Sequence, residues 1–147
     1  MWIIIGLVAG VLAGIGMIAV SEAGYRLGII KSNLIIVDGS FVMRLLNKSS
    51  GVFPVYVTGM LIHVITSIAF GFVYVVLAYL LNFDTHLITA FVPYIVFLWL
   101  AMLFVALPVA GQGIIGNKLG KFAWLEQFVL HGVYGLIFWW ALYLGQS

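Results

Sequence analysis

Four long apolar runs constrain this chain more than any other feature, at about 2–23, 53–81, 87–110 and 122–145. Each reaches the roughly 20 residues that a helix needs to cross the hydrocarbon core of a bilayer. None alternates with the period of two that a membrane β-barrel requires. Helices satisfy their own backbone hydrogen bonds, which lipid cannot do. The expected fold is therefore all-α: a four-helix transmembrane bundle forming a single integral membrane domain over 1–147. The composition agrees, with 65% hydrophobic and only 7% charged residues, against roughly a quarter charged in soluble domains. The net charge of +2 gives no footprint for nucleic acid. The absence of cysteine removes disulfides, thiolate metal sites and thiol chemistry.

The charges are sorted along the chain. Arg26, Lys31, Arg44 and Lys48 fall in the first connection, and Lys118 and Lys121 in the third. With four spans these connections share one membrane face. The positive-inside rule puts that face in the cytoplasm and both termini outside, in a multi-pass protein of the cell membrane. The segment 24–52 is expected to be an interfacial one. Within it, 39–48 reads as a short amphipathic helix capped by Asp38 or Ser40, with Phe41, Leu45 and Leu46 dipping into the interface. Arg44, Lys48, Lys118 and Lys121 are the candidates for contact with lipid headgroups. Asn47-Lys48-Ser49 matches a glycosylation sequon, which a cytoplasmic position makes irrelevant.

Small residues mark where helices approach. Gly6, Gly10 and Gly14 form one stripe, Gly59, His63, Ser67 and Gly71 a second, and Gln127, His131 and Gly135 a third. Such spacing lets backbones pack closely in lipid. Pro93 and Pro108 are expected to kink or end the third span.

His63 and His131 are the most informative residues. Each lies about eight residues, or roughly 12 Å, along its span from the same membrane face. They thus share a depth on two helices that are diagonal in a square bundle. A diagonal of roughly 11–14 Å leaves room for a haem b between two axial imidazoles, with Gly71 and Gly135 giving clearance for the porphyrin, so the pair are candidate haem or metal ligands. The competing reading gives each histidine a hydrogen bond to a neighbouring helix and nothing more. Glu22 and Glu126 are the other intramembrane polar residues. Glu22 reads as the i,i+4 partner of Arg26, and Glu126 as an interfacial partner of Lys121. The Glu-x-x-His spacing of di-iron bundles is missing, since Glu126 and His131 are five apart. His86 reads as a solvated turn residue.

Gly111-Gln112-Gly113-Ile114-Ile115-Gly116 matches the letters of a dinucleotide-binding loop but follows a membrane helix rather than a strand, so that reading is rejected. Together with Leu107-Pro108-Val109-Ala110 before it and Leu130-His131-Gly132-Val133-Tyr134-Gly135 after it, this run resembles an uncharacterised family of small four-helix membrane proteins of archaea and bacteria. The shared features are a Pro-x-x-Gly-x-Gly turn and a His-x-x-Tyr-Gly helix. The resemblance implies four helices and singles out His131; it implies no activity.

The expected function is that of a small accessory or structural subunit, held in lipid against other membrane subunits or further copies of itself. The alternative is a bis-histidine haem b protein that moves electrons or binds a cofactor, and a third is transport of a small molecule or protons. No nucleophile–base arrangement stands out, so an enzyme is not expected.

Overall fold

A computed structural model describes residues 2–48 and 51–146 of the chain. The sequon lies partly outside these residues. The described residues are helical and turn structure, without strands. Helix α1 spans Trp2–Arg26, α2 Leu34–Leu45 and α3 Val52–Leu80. Helix α4 spans Ile88–Val109 and contains a π-helical turn at Met102–Ala106. Helix α5 spans Ala123–Gln146. Four of these, α1, α3, α4 and α5, are long and apolar enough to cross a membrane, and their limits fall within three residues of those expected. Many of their largest apolar side chains point outward, among them Ile4, Phe97, Phe104 and Leu136. That outward surface suits lipid as solvent.

Helix α1 is the centre of the bundle, packed closely against both α3 and α5. The first two expected stripes face each other. A side-chain carbon at Gly10 would meet the Ser67 backbone, and one at Gly71 would meet Gly6 and Gly10. The partners run antiparallel, and only hydrogen fits between the backbones at these crossings. Helix α4 is held more loosely, mainly by α5.

The helix of the first connection differs from its expected form. It starts at Leu34 rather than 39, and its N-cap is Asn33, whose side chain accepts from the backbone N–H of Ile36 at 3.2 Å. Asp38 and Ser40 therefore lie inside the helix and cap nothing. Leu34, Ile35 and Val37 are buried, because α2 packs on α3. Ile35 lies against Gly59, and Gly39 against Val55, so the two helices also run antiparallel with glycines at the contact. Leu45 and Leu46 remain exposed, while Phe41 turns inward against the core.

Pro93 lies inside the third span, whereas Pro108 stands one residue before its end at Val109. Proline cannot donate to the carbonyl four residues back, and its ring crowds that carbonyl. The π turn immediately before Pro108, closed by Leu107 N–H donating to the Met102 carbonyl, widens the helix there. Such turns are often found at functional sites.

Candidate functional site

The buried His63 imidazole has a partner that sequence reasoning missed. Its Nδ1 lies 2.8 Å from Oδ2 of Asp38. In a helix, Cα–Cβ bonds tilt toward the N-terminus. On two antiparallel helices, the side chains of Asp38 and His63 therefore lean toward one another. An ionised carboxylate only accepts, so Nδ1 carries the hydrogen and Nε2 holds the lone pair when the ring is neutral. That Nε2 is buried and makes no hydrogen bond among the described residues.

His131 is fixed in the same sense. Its Nδ1 lies 2.8 Å from the Gln127 carbonyl, one turn back in α5. A carbonyl cannot donate, so Nδ1 is again the donor and Nε2 the acceptor. Gln127 is itself anchored: its amide donates to the Ser32 hydroxyl at 3.0 Å. Ser32 in turn donates to Glu126, through its hydroxyl at 2.9 Å and its backbone N–H at 3.1 Å. Glu126 also accepts from the Lys31 N–H at 3.1 Å. Glu126 thus ties the first connection to the start of α5, in place of the expected interfacial pairing with Lys121. Glu22 does pair with Arg26, at 2.7 Å, and also accepts from the Asn33 amide at 2.8 Å.

Both histidines line one cavity of about 260 Å³. Asp38, Thr66, Ser67 and Tyr134 add polar atoms, and the rest of the wall is apolar, from Met17, Phe41, Phe70, Leu98 and Met102. Phe70 on α3 and Val105 on α4 line it and are also exposed, so the cavity is partly open between those helices. The π turn contributes Met102, Val105 and Ala106 to its wall. A wider groove of about 810 Å³ lies between α4 and α5, walled by Phe91, Ile95, Phe128, Gly132 and Gly135, with His131 at its edge as well.

The expected pair of histidines therefore meets at one cavity, whereas the two expected clearance glycines do not line it. Gly71 is consumed by the contact with α1, and Gly135 faces the side chain of Ile95. One turn beyond the histidines, the Tyr134 hydroxyl donates to the Ser67 carbonyl at 3.1 Å and bridges α5 to α3. Neither glycine thus gives a porphyrin clearance at this cavity. Among the described residues, no three His, Asp or Glu side chains are close enough to hold a metal ion.

The basic residues gather at one end of the bundle. Arg44 lies over Gly111, whose φ of 81° suits glycine, and Lys31 lies beside Gly120. Lys48, Lys118 and Lys121 are exposed. At the opposite end His86 is less solvated than expected. Its ring meets Trp139 and Tyr143 edge-on, and its Nε2 is buried.

Fold and site together define a multi-span helical membrane protein with a mainly apolar cavity that a few polar side chains line. In the comparisons with known proteins, no family model, curated protein or solved structure matches the chain.

Proposed function

We propose that this protein binds a small, mostly apolar molecule inside the membrane, in the cavity bounded by His63 and His131. One observation carries this reading: two buried imidazoles, each with Nδ1 committed to an acceptor, stand on the wall of a single, mainly apolar cavity. Ligand sites have this character, a mainly hydrophobic lining with a few placed polar groups. The opening between α3 and α4 gives a lipid-dissolved molecule a lateral way in. The basic end faces the cytoplasm in this reading, supported by the gathering of all six Lys and Arg residues in two connections.

The test is a cavity-filling substitution. Ala101 lines the cavity from α4, and Ala101→Phe reduces its volume without adding charge. Solvent extracts of the protein purified in mild detergent, compared by mass spectrometry, are expected to contain a molecule carried by the native chain and lost from Ala101→Phe. Identical extracts from two folded proteins would contradict the reading.

A second reading, an accessory subunit held against a partner membrane helix, is favoured by the groove between α4 and α5. At Gly132 in that groove an added side-chain carbon meets nothing within 4 Å. A partner recovered in fixed stoichiometry and lost in Gly132→Leu is its expected sign.

A further inference from the structure

We infer that the ligand of this cavity is a lipophilic organic monocation, a protonated amine, which competes with a proton at His63. The inference rests on the cavity-binding reading above and adds the chemical class of the ligand.

The charge of the cavity wall sets the ligand class. Asp38 lines the cavity, and its carboxylate side chain is only 15% exposed. Among the lining residues there is no Lys or Arg to balance it. The ionisable groups facing His63 are Asp38 from α2 and His131 and Tyr134 from α5, while α1 contributes Met17 and α4 only Leu98, Ala101, Met102, Val105 and Ala106. A lone negative charge in a membrane interior is costly, and buried charges are paired. Two states cancel it. In one, His63 is protonated and forms an ion pair with Asp38. In the other, His63 is neutral and a cation occupies the cavity.

The hydrogen-bond pattern favours the second state when a ligand is present. Neutral His63 and neutral His131 each keep an Nε2 lone pair, since both Nδ1–H groups are engaged, and that of His63 is buried without a partner among the described residues. An ammonium group carries N–H donors and no acceptor, so it complements two acceptor nitrogens and a carboxylate. Phe41, Phe70 and Tyr134 supply aromatic rings in the same wall, which attract cations through their faces. Hydrocarbon attached to the ammonium fits the remaining apolar lining. The exchange balances: the protein with His63 protonated takes up one ammonium ion and releases one proton, and the net charge of the occupied cavity is the same in both states.

Calorimetry on the full chain in nanodiscs tests this, with phenethylamine and its neutral analogue phenethyl alcohol as probes. The amine is expected to bind more tightly than the alcohol and to release one proton, measured in two buffers of different ionisation enthalpy. Asp38→Asn is expected to abolish the preference for the amine, and His63→Gln to bind it without proton release. Equal binding of amine and alcohol, or tighter binding of the alcohol, would overturn the cation inference and leave the cavity reading standing. If neither probe binds, the inference falls, and the Ala101→Phe extraction decides the reading beneath it. Should Asp38→Asn fail to fold, proton release by the native chain decides the matter: binding without it overturns the exchange.

Discussion

Oδ2 of Asp38 lies 2.8 Å from Nδ1 of His63, which joins the helix of the first connection to the interior of a membrane-spanning helix. Removing the carboxylate leaves a buried ring nitrogen without its acceptor, which costs about 1–3 kcal/mol. Asp38→Ala is therefore expected to lower stability in detergent by that amount. Adding His63→Ala should cost less than the sum of the single changes, because residues in contact couple. Additive effects in a double-mutant cycle would show that the pair contributes no interaction.

The glycines of the bundle separate into two kinds. A side chain at Gly71 meets the backbone of α1, whereas one at Gly132 meets open space. Gly71→Val is expected to cost roughly 1–3 kcal/mol or more through overpacking. Gly132→Ala is expected to be neutral or slightly stabilising, since alanine is the better helix former. Thermal unfolding of the two variants side by side checks the contrast.

Glu126 accepts three hydrogen bonds from Lys31 and Ser32. Glu126→Ala should free both backbone N–H groups and detach the turn before α2 from α5. Faster hydrogen exchange at the Lys31 and Ser32 amides, with the middle of α3 unchanged, is the expected result.

At the other end of the bundle, the backbone N–H of His86 donates to Asp84 at 2.8 Å and holds its carboxyl below its ordinary pKa of 3.8. A depressed folded-state value means that the contact stabilises the turn fully above the unfolded pKa. The contribution fades as pH falls through the folded one. Asp84 is fully exposed, so the effect is local. An NMR titration of its carboxyl should show a midpoint below 3.8 that returns to normal when the chain unfolds.

The spans, the facing glycine stripes of α1 and α3 and the choice of His63 and His131, which line one cavity, were legible because each follows from helical spacing alone. Asp38 was not. A lone acid before Gly39-Ser40 looks like a helix cap, and only the start of α2 at Leu34 carries it into the helix and against α3. The burial of Leu34, Ile35 and Val37 is a tertiary effect that overrides an interfacial reading of an amphipathic segment. Tyr134 likewise reads as one aromatic among many. Its bridge to Ser67 depends on how closely α5 approaches α3.

Two imidazoles line one cavity, and nitrogen NMR of the three histidine rings tests that directly. With phenethylamine added, His63 and His131 should both hold the proton on Nδ1 and shift together at Nε2, while His86 stays unchanged. A shift at only one of the two, or an equal shift at His86, would contradict it.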